Sequence, residues 1–174
     1  FVTNSAAAAL KDDGSVITWG HADSGGDSSS VSSQLQSGVV QIFSTSRAFA
    51  ALKDDGSVVT WGRADKGGDS SSVSGQLQSG VKRVYSNGYS FAALKEDGSV
   101  VTWGVSNWGG DSSSVSSQLQ SGVTDIFQAD TTFAALKGSG RVIFWGAEDH
   151  NNIPFSSVSS QLQSGVSDIY STVN

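Results

Sequence analysis

A Trp-Gly pair recurs at Trp19-Gly20, Trp61-Gly62, Trp103-Gly104 and Trp145-Gly146, every 42 residues, and this period constrains the fold more than any other feature. The string leading into each pair is nearly constant: AALKDDGSVITWG, AALKDDGSVVTWG, AALKEDGSVVTWG and AALKGSGRVIFWG. A second string, SSQLQSGV or SGQLQSGV, follows, marked by Leu35, Leu77, Leu119 and Leu162; the last spacing is one residue longer, so the fourth unit carries an insertion in AEDHNNIPFSS. Units this short cannot bury a hydrophobic face alone and must stack on one another.

Each unit reads as three short strands, for example Val39–Phe43, Phe49–Lys53 and Val58–Trp61. The second and third are joined by Asp54-Asp55-Gly56, a hairpin signal because Gly tolerates positive φ. The stretch Asp27–Leu35 suits a helical turn with Asp27 as its cap. Ala pairs such as Ala50-Ala51 suit crowded positions between units. Three strands per unit, repeated, predict an all-β propeller of four three-stranded blades, with a solenoid as the alternative. The units fall at about 1–38, 39–80, 81–122 and 123–174, one propeller domain over the whole chain. Phe1 aligns with Phe43, Tyr85, Phe127 and Tyr170, so a last strand over Val166–Tyr170 is expected to pair with the N-terminal strands and close the ring. Four blades closed alone, a ring shared with a second chain and a piece of a longer ring are all open. With no Met anywhere, the chain reads as a processed product or a fragment.

Composition removes several functions. The net charge is −6 and only ten residues are Lys or Arg. They form no basic run, which argues against nucleic acid and anionic membrane surfaces. No window approaches the apolar length of a membrane span. Without Cys there are no disulfides, thiolate nucleophiles or Cys-based zinc sites. His21 and His150 accompany no nucleophile motif, and the Asp-Asp-Gly turns meet no calcium-loop spacing. No catalytic residue, metal or cofactor is expected.

The strings QSGVVQIFSTSRAFAALKDDGSVVTWG and QSGVKRVYSNGYSFAALKEDGSVVTWG resemble the regulator of chromosome condensation repeat. They share its progression of Val-x-x-Ile, a loop, an Ala/Leu strand, Asp-Gly and a strand ending in Trp-Gly. The short period resembles most the three-stranded-blade branch that includes the type II β-lactamase inhibitory protein. The resemblance spans the chain and implies a propeller, usually of seven blades. The eukaryotic member acts on the GTPase Ran and binds chromatin. Here Arg47-Ala48-Phe49 and Tyr89-Ser90-Phe91 lack the His often found at the start of the family's second strand, and there is no basic tail.

A core must repeat, whereas a binding site need not. Two regions vary between units. One follows Trp-Gly and holds His21, Asp23, Arg63, Asp65, Lys66, Asn107, Trp108, Glu148, Asp149 and His150. The other joins strands one and two and holds Arg47, Tyr89 and Asp130. An up-down-up strand order puts both on one face, opposite the Asp-Asp-Gly hairpins. Trp108 stands out because Ser24 and Lys66 occupy its place elsewhere, and Trp, Tyr and Arg dominate binding hot spots. The four periodic Trp are expected in the core or between blades. The expected function is non-catalytic docking of a protein partner by this face, in one version by covering an enzyme's active site. The alternatives are a scaffold subunit or propeller segment of a larger assembly, a homodimer included, and, ranked below, a carbohydrate-binding propeller.

Overall fold

The structure is a computed structural model that describes residues 1–147 and 155–170. Its strands are β1 (Ala6–Leu10), β2 (Val16–Gly20), β3 (Val39–Ser44), β4 (Ala48–Lys53), β5 (Val58–Gly62), β6 (Val81–Ser86), β7 (Ser90–Lys95), β8 (Val100–Gly104), β9 (Val123–Gln128), β10 (Thr132–Lys137) and β11 (Val142–Gly146). They form three antiparallel sheets, β3-β4-β5, β6-β7-β8 and β9-β10-β11, and a two-stranded sheet, β1-β2. Each sheet is one sequence repeat, and the strands expected at Val39–Phe43, Phe49–Lys53 and Val58–Trp61 agree with it to within a residue at either end.

The hairpin turns follow from local chemistry. Gly14, Gly56, Gly98 and Gly140 all sit near φ +75°. Before three of them, Asp13, Asp55 and Asp97 accept the backbone N–H and hydroxyl of Ser15, Ser57 and Ser99. The Ser hydroxyls hold these carboxyls below the usual carboxylate range. After Trp19-Gly20, Trp61-Gly62 and Trp103-Gly104 a one-turn 3-10 helix forms, Ala22–Ser24, Ala64–Lys66 and Ser106–Trp108, followed by a second over Ser29–Leu35, Ser71–Gln76 and Ser113–Gln118. The N-cap of the second turn is Ser28, Ser70 or Ser112 rather than the expected Asp; Asp27, Asp69 and Asp111 stand one residue before it and each accepts the N–H of the Ser two residues on.

The first strand of each unit lies innermost, where β3, β6 and β9 touch in succession. The second strand is central and buried almost end to end. Its two faces serve different neighbours. Ala48, Ala50 and Leu52 of β4 pack into one cluster with Leu77 and with Val81, Val84, Phe91, Ala93, Val101 and Trp103 of the next unit. Phe49 and Ala51 pack the other way, toward β1. The hydrophobic core therefore lies between units, and Ala at 48, 50 and 51, all with 0 % exposure, sets how closely they approach.

One latch repeats at every junction. The Trp61, Trp103 and Trp145 indole N–H groups donate to the carbonyls of Gly25, Gly67 and Gly109 in the preceding unit, at 3.0, 3.1 and 3.1 Å. Each of these Trp stacks on Phe49, Phe91 or Phe133 of its own unit. The Phe ring lies against the preceding Gly, so that a Cβ on Gly67 would meet Phe91 at 2.6 Å.

The first unit departs from the others. Trp61, Trp103 and Trp145 are buried at junctions between units, whereas Trp19, at the same position of the first unit, is 55 % exposed. Nothing in the described structure packs on that face. Phe1 and Val2 pair with Ala8 and Ala7 in the place of a first strand. Val166–Tyr170 belongs to no strand and is not paired with the N-terminal unit; its Val166 N–H instead bonds Gly140, as Val39, Val81 and Val123 bond Gly14, Gly56 and Gly98.

Gly67→Ala would force a left-handed φ of +92° on a residue with a Cβ and drive that Cβ into Phe91. We expect a loss of about 2–4 kcal/mol, from overpacking and backbone strain together. Gly75→Ala, where a Cβ meets nothing, should change stability by well under about 1 kcal/mol. Urea denaturation of the two variants checks the pair.

Candidate functional site: the loop face

Side chains from the inner crossover loops tie the two variable regions together. The Thr3 hydroxyl donates to Ser24 O at 3.0 Å, the Thr45 hydroxyl to Lys66 O at 2.9 Å, and the Asn87 amide to Trp108 O at 2.9 Å. Each bond runs from the loop between strands one and two to the turn after strand three of the same unit. Both variable regions therefore share one face. The crossover loops are also linked in a chain around the axis: Asn4 N–H to Ser46 O, Ser46 N–H to Gly88 O, and Gly88 N–H to Asp130 O. They line a cavity of about 490 Å³ at the centre of this face.

Three of the expected residues meet. Tyr89 and Trp108 touch edge to face, with ring centroids 3.9 Å apart. Lys66, from the neighbouring unit, places its Nζ 5.0 Å from the Tyr89 ring centroid and 5.3 Å from that of Trp108. All three are half-buried, which leaves part of each ring and the ammonium open to solvent. A cation held over aromatic faces is attracted by the ring quadrupole.

The remaining residues surround or miss this cluster. Arg63 Nε donates to Asp65 Oδ1 at 2.6 Å; both are exposed, and the bond lowers the Asp65 carboxyl below its usual range. Asp23 adds its charge near Arg63. Arg47 is exposed beside Ser46, whose N–H bonds Gly88 next to Tyr89. Asn107 is exposed in the Trp108 turn, and Asp130 is exposed at the far side of the central cavity. His21 is exposed on the first unit and is not part of the cluster. Glu148, Asp149 and His150 lie outside the described residues.

A second polar group was not anticipated. Tyr85 donates its hydroxyl to Asp125 of the next unit, Arg83 lies 4.0 Å from the same carboxylate, and its guanidinium stands 4.9 Å from the Tyr85 ring centroid. With Phe43, Phe127 and Gln128 they line a cavity of about 320 Å³ along the inner strands. The signal in sequence was variation inside a strand, Gln41, Arg83 and Asp125 at one position, rather than in a loop.

No family model matches the chain, and no curated protein matches it with significance. Solved structures do. Prp20p from Saccharomyces cerevisiae aligns at TM-score 0.58 and 20% identity, over 84% of this chain and 43% of that one. Human WBSCR16 aligns at TM-score 0.52 and 21% identity, over 83% and 46%. The ectodomain of the Arabidopsis thaliana receptor kinase ACR4 aligns at TM-score 0.52 and 17% identity, over 83% and 49%. The chain has the fold of an RCC1-type β-propeller. It spans less than half the length of each of these solved chains.

On this propeller the axial group carries a pH signature. Burial first, and the hydrogen bond and charge of Asp125 after it, push the Tyr85 phenol well above its ordinary range. A raised folded value means the stabilisation is complete below the unfolded phenol pKa of about 10 and is lost as pH rises toward the folded value. Relative to Tyr85→Phe, the wild type should lose stability progressively above pH of about 10; denaturant midpoints from pH 8 to 12 test this.

Proposed function

We propose that the chain is a non-catalytic protein-binding propeller segment whose loop face docks a partner protein. The observation that carries this is the Tyr89–Trp108–Lys66 cluster: two touching aromatic rings and a cation, half-open to solvent, built where the repeat diverges. Residue types of this kind, anchored on a rigid scaffold, are what binding hot spots are made of. The bonds from Thr45 and Asn87 hold the carbonyls of Lys66 and Trp108, so little order would have to be acquired on docking. Among proteins of this fold, the solved structures describe Prp20p in terms of binding to Gsp1p and histones, and yeast RCC1 with Kap60 bound. These partners belong to those proteins; what they lend this chain is the class, a protein.

A second reading, a segment within a larger assembly, is favoured by the exposed β2 face, where Ile17 and Trp19 are 54 % and 55 % exposed. Binding and assembly are compatible, because the loop face and the β2 face use different residues.

Trp108→Ala should weaken capture of a specific partner at least about tenfold, as a hot-spot loss of 2 kcal/mol or more implies. Its melting temperature should stay within about 2 °C of wild type, and Asp97→Asn on the hairpin face should bind as wild type does. Quantitative pull-down from a lysate of the source with all three proteins, alongside thermal melts, is the check. Unchanged capture by Trp108→Ala, or a collapse of its melting temperature, would assign Trp108 to packing instead.

A further inference from the structure

We propose that the exposed face of the first unit takes the C-terminal segment of a second copy of this chain, in both directions, closing a two-chain ring. The inference is independent of the loop face. It starts from the four hydrophobic clusters. The cluster between units two and three contains Leu77, Val81 and Val84 from one segment and Phe91, Ala93, Val101 and Trp103 from the sheet that follows. The cluster beyond unit four contains Leu162, Val166 and Ile169, the counterparts of the first set, packed on Ala134, Leu136 and Val142. The counterparts of the second set are Ala7, Ala9, Ile17 and Trp19. These lie on β1 and β2, and Ile17 and Trp19 are the ones left 54 % and 55 % exposed. The last cluster is half a core, and the first unit displays the missing half.

The polar groups agree. Lys53, Lys95 and Lys137 donate their ammonium groups to the carbonyls of Gln34, Gln76 and Gln118 across each junction, at 3.1, 2.9 and 2.8 Å. Lys11, their counterpart, bonds its neighbour Asp13 instead, and the counterpart carbonyl belongs to Gln161. Trp61, Trp103 and Trp145 each hold a carbonyl of the preceding unit, and the counterpart Trp19 is exposed. Strand register is specified too: Ile42 faces Ala51, Val84 faces Ala93 and Ile126 faces Ala135, so Ile169 would face Ala9.

The open first unit favours a second copy over self-closure. In one chain the Ile169 segment does not reach β1, and the same four units superpose on only 43% of the Prp20p chain. They describe an arc of a larger ring. Two complementary ends on one arc make a head-to-tail contact, which closes when the rotation allows.

The chain has no Cys, so disulfide mapping is direct. Light scattering should give twice the 17.9 kDa of one chain, independent of concentration above the dissociation constant. Oxidising a mixture of Ala9→Cys and Ile169→Cys single variants should yield a covalent two-chain species. The double variant should yield covalent dimers and no cross-linked monomer. Trp19→Glu should shift the mass to one chain at least about tenfold more readily while keeping the β-sheet circular dichroism signal. A monomeric wild type, a cross-link within one chain, or masses that grow with concentration beyond two chains would each overturn the proposal. The disulfide result decides the matter should Trp19→Glu fail to fold.

Discussion

A Trp indole bonded to a Gly carbonyl of the preceding unit, with a Phe ring laid against that Gly, joins each unit to the one before it. Three requirements meet there. The Gly must adopt φ near +90°, it must have no Cβ so that the Phe can approach, and its carbonyl must face an indole 36 residues on. Stability on this plan is a sum over junctions, because each unit's buried area is shared with its neighbours. A single three-stranded sheet with Ala on both faces of its central strand has too little side-chain surface to hold itself together; the Ala residues are there to let the next sheet come close.

What could be read in the sequence follows from this. Strands within a unit and their hairpins depend on residues near in sequence and stand at the expected positions, whereas Val166–Tyr170, whose pairing depends on a distant unit, forms no strand. The sharing of one face by the two variable regions follows from strand alternation alone. The environment of Trp19 was not legible, since its local string differs little from that of Trp61 and its exposure depends on what stands in front of the unit. The ties from Thr3, Thr45 and Asn87 escaped for another reason: the position keeps its role while changing residue type, from hydroxyl to amide, and the fourth unit has Ala129 there. The Arg83–Tyr85–Asp125 group was hidden because its residues occupy a strand that otherwise reads as core. Of the expected site, Trp108, Tyr89 and Lys66 came together across two units; His21 and Asp130 stand apart from them.

The distribution of charge sharpens the contrast between the two faces. On a chain with net charge −6, Lys53, Lys95 and Lys137 on the hairpin side are engaged with backbone carbonyls. Arg47, Arg63 and Lys66 belong to the loops of the second unit, beside the aromatic pair of the third. Exposed charges of this kind contribute little to folding. They do set which partner surfaces are attracted and which are repelled, and they act on association rate. An otherwise acidic molecule with its loop cations gathered in one unit favours one orientation of approach.

The two proposals meet in the geometry of the ring. A head-to-tail pair is related by a two-fold axis along the ring axis, so both copies turn their loop faces the same way. The Tyr89–Trp108–Lys66 cluster would then appear twice on one surface, once per chain, on opposite sides of a shared centre lined by crossover loops. A partner with two docking segments would gain from the second contact without any new chemistry, because its effective concentration is set by the ring itself. The repeat that lets one unit stack on another thus also determines how binding surfaces are spaced. Near-identity between units keeps the junctions interchangeable, while divergence in the loops keeps the two clusters from becoming a uniform belt.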